Sequence, residues 1–542
     1  MTVQTQHPSP GVERANAEVS NIAELVRLAA RRGPEHPAVV DALSGAEWSW
    51  ASLDVAVSEQ ARRLREEGVS AGDRVLLRLP TGPAFCVALF GALRAGAVAV
   101  PVSPSSTAEE RERILADCAP AALLADEPRP EASPEGPREL TPVRLDEFGT
   151  RAVPTAETAE EASTTGSDLA VLAYTSGTSG PSRAAMLSHG ALLANIRQCG
   201  RLRPIPVNSA DRVLLALPLF HIYGLGPGLL QVASVGATAV LLPRFDAEAA
   251  LEAISELRVT SLVGVPPMYF AWLQLPAERL RSGMATVRLL TSGAAPLGVE
   301  AATEVRAATG LDVFEGYGLT ETGPVLTTTL ASGRAKPGSV GAPLPGVELR
   351  LVDVDGQPLD SPADAARQDR RSGRITGLVS ARGPNLFSGY WPDGLHGPDR
   401  DGWFRTGDVG HFDEDGDLCL VDRANDLVIV NGFNVYPHEV EDVLLHLDGV
   451  SEVAVVGVPD GSSGEALKAV VVPHPGVDLS ETDVREHCAQ RLVPFKVPTL
   501  VEFAEQLPQS TTGKLARRVV RDLREGGGGR GERGADNAGD PG

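Results

Sequence analysis

From Tyr174 onward an apolar strand pattern runs into YTSGTSGPSRAAMLSHG, which gathers hydroxyls and glycines at Thr175, Ser176, Gly177, Thr178, Ser179 and Gly180. Glycine lets a backbone close around a phosphate, whose oxygens then accept from N–H and hydroxyl groups. The spacing is not G-x-x-x-x-G-K-[ST], which disfavours an ordinary P-loop nucleotidase. By itself such a run is usually just a surface loop. A polar turn and a helix-like segment are expected after it.

Four later stretches offer complementary chemistry. EGYGLTETG supplies Glu315, Gly316, Tyr317, Thr320 and Glu321: a hydroxyl for a phosphate, a hard carboxylate for Mg²⁺ and a ring that can stack on a base. WFRTGD places Asp408 at an expected turn, where a carboxylate can accept from two ribose hydroxyls. VDRANDLVIVNG carries Asp422 and Arg423, and LPQSTTGKLARR carries Lys514 beside a glycine. Each also has an ordinary reading. Asp408 and Asp422 suit turns, Glu321 suits a helix cap, and Lys514 suits a solvated surface.

The elements that must position these residues follow from the apolar pattern. SLDVAVSEQARRLREEGV is an amphipathic helix, DRVLLRL a strand, PAFCVALFGALRAG a helix and AVAVPV a strand; TAEERERILADC and AALLAD repeat the pair. This is the alternation of a parallel sheet covered by helices. It resumes at DLAVLAYTSG and continues through DRVLLALPL, TAVLLPRF, VTSLVGVPP and VRLLTSGAAPL. Residues 125–165 read as an irregular surface connection. Residues 335–420 read as short strands of an antiparallel or barrel-like part. The fold class is therefore α/β: a large N-terminal domain over 21–422 and a small α+β C-terminal domain over 423–524. Flexible ends are expected at 1–20 and 525–542.

A chain of 542 residues exceeds one hydrophobic core, which supports the division. Its formal charge of −22 repels duplex nucleic acid and anionic membrane surfaces, yet local donors and a metal can still hold a small anion. The five cysteines, Cys86, Cys118, Cys199, Cys419 and Cys488, show neither metal-ligand spacing nor a disulfide framework. No signal segment opens the chain, and Ala84 to Val102 reads as a buried helix followed by a strand, so a cytoplasmic location is expected. Only four lysines stand among the many arginines: Lys336, Lys468, Lys496 and Lys514. A lysine retained against such a bias is a somewhat better functional candidate.

Taken in order, TSGTSGPSRAAMLSH, PLFHIYGL, SGAAPL, YGLTET, WFRTGD, DRANDLVIVNGFNVYPHEVE and PQSTTGKLARR resemble successive signatures of the acyl-CoA synthetase, luciferase and peptide-synthetase adenylation superfamily. The likeness spans roughly residues 30–520, and NGFNVYPHEVE is most similar to the fatty-acyl branch. It implies attack of a carboxylate on the α-phosphate of Mg·ATP, then transfer of the acyl group from acyl-AMP to a thiol. ATP, Mg²⁺ and coenzyme A are the implied cofactors and co-substrates, and a small-molecule carboxylic acid the implied partner. The resemblance further implies a C-terminal domain that rotates between the half-reactions.

Residue by residue, it assigns Lys514 to bridging carboxylate and phosphate oxygens, Thr320 with Thr175 to Gly180 to the phosphate cradle, and Glu321 to magnesium. Ser292, Gly293, Ala294 and Ala295 resemble the adenine wall, Asp408 the ribose anchor and Arg423 a hydroxyl or phosphate contact beside it. His221 resembles the histidine beside the carboxylate, although a histidine among apolar residues is more often structural. Ile222, Gly224, Val265, Met268, Gly293 and Gly316 are the implied acyl pocket, and Gly432 the segment facing the thioester site. Five residues, at three places in the chain, depart from the pattern. The usual Pro-Lys-Gly is Ser182, Arg183 and Ala184, the hinge is Asn425, and Leu378 replaces a common glutamate, read as a surface change. Arginine keeps the charge with a planar, bulkier head.

The expected activity is AMP-forming ligation of a medium- or long-chain fatty acid to coenzyme A. The alternatives are an aryl acid, a separate carrier protein as acceptor, or a catalytically silent nucleotide-binding protein.

Overall fold

The computed structural model describes residues 19–126, 138–148, 164–175, 183–359, 375–423, 428–430, 433–435, 437–460, 464–492, 494–508, 515 and 517–522. The chain divides into two compact units, Met1–Val421 and Asp422–Gly542.

The first unit is built on two large sheets. In chain order its strands are β1 (Pro37–Asp41), β2 (Glu47–Ser49), β3 (Arg74–Arg78), β4 (Val98–Pro101), β5 (Ala122–Ala125), β6 (Arg138–Leu140), β7 (Leu169–Thr175), β8 (Arg183–Ser188), β9 (Arg212–Leu215), β10 (Thr238–Leu241), β11 (Ser261–Gly264), β12 (Leu289–Ser292), β13 (Val313–Gly318), β14 (Val325–Thr328) and β15 (Ala342–Pro343). One sheet has the order β6-β5-β3-β4-β7-β8 and the other β15-β14-β13-β12-β11-β9-β10-β1-β2. Both are parallel in their interior and turn antiparallel at an edge, at β8 in the first and at β2 and β14 in the second. The short runs that form the interior, such as Val98–Pro101 and Thr238–Leu241, are buried throughout, as strands covered on both faces must be.

Helices cover these sheets. Ser49 caps the helix Trp50–Glu66 by accepting from Ser52 N–H. Helix Pro83–Arg94 starts on proline and is buried from Phe85 to Arg94, which explains its nearly uniform apolar sequence. Its one charge, Arg94, is fully buried. It meets Asp54 at 2.6 Å and donates to Ser58 Oγ at 2.8 Å, so the cost of removing it from water is offset by a partner. The buried helix and following strand expected over 84–102 are thus present. Among the described residues no helix is long and apolar enough to cross a membrane.

The stretch 335–420 forms the antiparallel alternative. β16 (Glu348–Val352), β17 (Gly377–Arg382), β18 (Phe404–Phe412) and β19 (Leu418–Arg423) follow one another in space, an open path of strands. Leu378 is half-buried within β17 and not a plain surface residue. In the second unit β20 (Val428–Val430), β21 (Phe433–Val435), β22 (Val450–Asp460), β23 (Gly464–Pro473) and β24 (Leu500–Phe503) form a sheet with helices Pro437–Leu445 and Glu481–Ala489. Val440, Leu444, Val455, Val471 and Val484 belong to its core.

Several expectations change. The segment after the phosphate-type loop is a strand, β8, because its AAML run pairs with β7; the helix begins only at His189. The irregular connection 125–165 contains β6, which pairs in parallel with β5. Asp408 lies inside β18, not at a turn; Gly407 at φ 79° bends the strand beside it and mimics a turn in the sequence. At the N-terminal end, Val19 is already buried, so a flexible segment does not extend to it. Three of the four lysines serve as ion-pair partners: Lys336 with Asp413 and Asp415, Lys468 with Glu502, and Lys496 with Glu439. Their persistence has a structural account.

Candidate functional site

The carboxyl ends of neighbouring parallel strands gather most of the candidates. β9, β11, β12 and β13 are consecutive in the sheet. His221 and Ile222 follow β9, Val265 follows β11, Gly293 follows β12, and Gly316 lies near the end of β13. In open parallel sheets a crevice outside the carboxyl ends is where ligands bind. The register aligns Gly264 with Ser292 and Ser292 with Glu315, and Gly293 N–H donates to Gly264 C=O at 3.2 Å.

This wall is set by close packing. A Cβ on Gly293 would lie 2.8 Å from the Tyr223 ring, one on Gly264 would lie 2.9 Å from the Tyr269 hydroxyl, and one on Gly224 would lie 2.5 Å from the Pro218 carbonyl. Ala294 holds φ 69°, a left-handed conformation that costs a non-glycine residue energy and often marks a ligand-facing turn. Ile222, Val265 and Met268 are buried. Gly224 opens a π-helix, Gly224–Leu230, three residues after His221, whose Nδ1 accepts from Tyr223 N–H at 3.2 Å. Burial pushes the Tyr223 hydroxyl up to about 12, so it is a neutral donor. Glu315 is also buried. Desolvation raises its pKa, and the Leu297 N–H at 3.1 Å partly counters that rise.

A second group is set by hydrogen bonds. Thr175 and Arg183 pair across β7 and β8, so the two ends of the phosphate-type loop lie side by side. Segment Asn385–Trp391 then joins β8 to the Thr320–Thr322 turn. Ser388 N–H and Trp391 N–H donate to Met186 and Ala184 carbonyls, while Phe387 N–H donates to Glu321 C=O at 2.9 Å. Asn385 Nδ2 donates to Thr322 C=O at 2.7 Å, and the Tyr390 hydroxyl donates to Glu321 Oε1 at 2.6 Å. On the adjoining edge the Tyr317 hydroxyl donates to Asp408 Oδ2 at 2.6 Å. Asp408 is buried.

The structure therefore brings Thr175 and Arg183 together with Thr320 and Glu321, and sets Ser292, Gly293, Glu315 and Gly316 side by side. Ser176 to Gly180, Asn425, Gly432 and Lys514 lie outside the described residues. Arg423 ends β19, with its side chain likewise outside. Sequence reasoning missed Tyr390, Tyr223 and Asn385. The aromatic-glycine run FSGYW was the available signal, but its partner Glu321 is 69 residues away.

The donor types suit the expected ligands: Glu321 offers the hard carboxylate oxygens that magnesium takes, Asp408 an acceptor for hydroxyls, and Arg183 a cation for phosphate.

Comparison with known proteins points the same way. The sequence matches the AMP-binding enzyme family over residues 26–391 and the AMP-binding enzyme C-terminal domain over 439–514. It is 33% identical to the long-chain-fatty-acid–CoA ligase of Salmonella typhimurium, over 93% of this chain and 95% of that protein. It is 36% identical to a feruloyl-CoA synthase of Amycolatopsis sp, over 91% of this chain and 96% of that protein. Among solved structures, ATP-bound MatB from Rhodopseudomonas palustris aligns with a TM-score of 0.81 at 32% identity, covering 92% of this chain and 98% of its own. The anthranilate CoA ligase AuaEII in complex with anthranoyl-AMP aligns with a TM-score of 0.80 at 25% identity, covering 93% and 98%.

Proposed function

The chain belongs to the AMP-binding enzymes, and on that footing we propose that it is an AMP-forming acid–CoA ligase. A carboxylate oxygen attacks the α-phosphorus of ATP, the bond to pyrophosphate breaks, and acyl-AMP forms. The thiol sulfur of coenzyme A then attacks the acyl carbon, its proton passes to solvent, and AMP leaves. The observation that carries this reading is the joining of Thr175, Arg183, Thr320 and Glu321 by one segment, beside a packed wall at the carboxyl ends of β9, β11, β12 and β13.

In this reading Thr320 and the loop from Thr175 to Gly180 donate to phosphate oxygens, and Arg183 adds positive charge. Asp408 accepts from the ribose hydroxyls, with Arg423 nearby in sequence order. Ser292 to Ala295 and Glu315 to Tyr317 flank the adenine. Bound Mg²⁺ would be held by Glu321 and would neutralise charge on the phosphate oxygens. His221 orients the carboxylate at the mouth of the acyl pocket. Lys514 donates to the oxygens that gain charge in the adenylation transition state. The C-terminal unit rotates about Asn425 between the half-reactions and brings Gly432 to the thioester site. A cytoplasmic location, where ATP and coenzyme A are available, belongs to the same proposal.

The acid is proposed as a medium- or long-chain fatty acid, in line with the relatives named long-chain-fatty-acid–CoA ligase. One observation favours a second reading, an aryl acid. The Tyr223 ring lies against Gly293 in the implied acyl pocket, and a relative named feruloyl-CoA synthase is 36% identical. The test supplies ATP, Mg²⁺ and paired aliphatic and aromatic acids, with and without coenzyme A, and identifies products by mass spectrometry. A coenzyme A-dependent acyl-CoA is expected, and its acyl group decides between the readings. Acyl-AMP without acyl-CoA would move the acceptor to a carrier protein. Replacement of Lys514 with Ala is expected to abolish acyl-AMP formation while ATP binding persists; an unchanged rate would overturn its assigned role.

A further inference from the structure

We infer that Tyr390 is a positioning residue that sets the Glu321 carboxylate and the phosphate-loop strand in a single geometry for Mg·ATP. The inference rests on the reading of Glu321 as the magnesium ligand. Three parts of Tyr390 act at once. Its hydroxyl donates to Glu321 Oε1 at 2.6 Å, and its ring lies under the Arg183 guanidinium at 5.7 Å from the centroid. Its backbone bridges to Ala185, in the strand that leaves the loop. The ring is itself steadied edge to face by Phe387 at 5.1 Å, and Phe387 N–H holds the Glu321 carbonyl. One side chain thus connects the turn bearing the carboxylate to the strand bearing the loop's cation.

The departure at Arg183 gains a reason from this contact. A planar guanidinium can spread over an aromatic face while keeping outward donors, which a lysine ammonium does less well. A hydrogen bond to a metal-binding carboxylate fixes which oxygen faces the ion, and its loss commonly weakens metal affinity on the order of tenfold or more.

The experiment titrates Mg²⁺ into the full-length protein saturated with α,β-methylene-ATP, a non-reacting analogue, and reads binding by calorimetry. Tyr390→Phe removes the hydroxyl and keeps the ring. It is expected to weaken apparent Mg²⁺ affinity about tenfold while analogue affinity in EDTA stays unchanged. Arg183→Lys is expected to weaken analogue affinity in EDTA severalfold in the parent and to have no further effect in Tyr390→Leu, where the ring is gone. Unchanged Mg²⁺ affinity in Tyr390→Phe would overturn the inference, including when thermal stability falls, since the residue would then only support the fold. Glu321→Gln separates the two ideas. If it weakens Mg²⁺ binding and Tyr390→Phe does not, this inference alone falls; if it has no effect, the reading of Glu321 falls as well.

Discussion

The two ends of the candidate site are held by different physics. The wall formed by Gly224, Gly264 and Gly293 is fixed by atoms already in contact, with no room for a further methyl group. The end formed by Glu321 and Asp408 is fixed by hydrogen bonds from Tyr390 and Tyr317, with Asn385 holding the neighbouring Thr322 carbonyl and the Tyr390 ring lying under Arg183. A packed wall tolerates pH and salt but not volume. A hydrogen-bonded frame tolerates small changes in volume but depends on each donor. A binding site that selects a shape at one end and handles charge at the other needs both.

The contrast can be broken most severely at Gly224. Alanine there would drive a methyl group toward the Pro218 carbonyl, a backbone atom that cannot move cheaply. A loss of about 3 kcal/mol or more in unfolding free energy is expected by denaturant titration. A near-native value would show that the wall can yield.

Acid should distinguish the polar framework next. His189 opens the helix after β8, is buried, and accepts from Ile22 N–H at 3.1 Å. Desolvation pushes its pKa down to about 4 from 6.5, with Asp168 opposing the shift. Between those values the unfolded chain binds the proton and the folded chain does not. The stability contribution is therefore complete above pH 6.5 and declines as pH falls toward 4, by about 3 kcal/mol in all. His189→Gln keeps an acceptor without titrating at these pH values, so the variant should lose this portion of the acid sensitivity. Parallel pH profiles for variant and parent would refute the assignment.

Smaller effects sharpen the comparison at the ligand. Gly293→Ala adds volume against the Tyr223 ring and is expected to raise KM for the acid roughly tenfold, about 1.4 kcal/mol, with a smaller rise in KM for ATP because the added methyl points toward Tyr223. Tyr317→Phe should do the reverse. It removes the donor to Asp408 and is expected to raise KM for ATP severalfold, about 1 kcal/mol, while acid selectivity is kept. Steady-state kinetics with each substrate varied would show the split; equal effects on both substrates would erase the distinction between the two ends.

How far the sequence discloses this arrangement depends on the range of the interaction. Apolar runs such as AVAVPV and TAVLLPRF reveal buried parallel strands because covering both faces leaves no polar alternation. The motif residues His221, Gly293 and Gly316 lie near the ends of β9, β12 and β13, an adjacency that the motifs alone do not state. AAML is different: four apolar residues suit a helix or a strand, and pairing with β7 settles the matter. Gly407 gives a turn-like signal within β18 because it lies where the ladder shifts register, between the Leu378–Val409 and Ser380–Arg405 pairs, and the strand resumes on either side. Tyr390 sits in the run FSGYW, but that run cannot name its partner, because Glu321 is brought to the hydroxyl by the third dimension.

Lysine pairing has a consequence for chemical self-damage. Acyl adenylates are mixed anhydrides that acylate amines, and an amine reacts only through its neutral, lone-pair form. Lys336 is held by Asp413 and Asp415, whose hydrogen bonds favour its ammonium over the free base, and Lys468 and Lys496 are paired with Glu502 and Glu439. With only four lysines in 542 residues, a protein that makes such an intermediate offers few side-chain amines to its own escaped product.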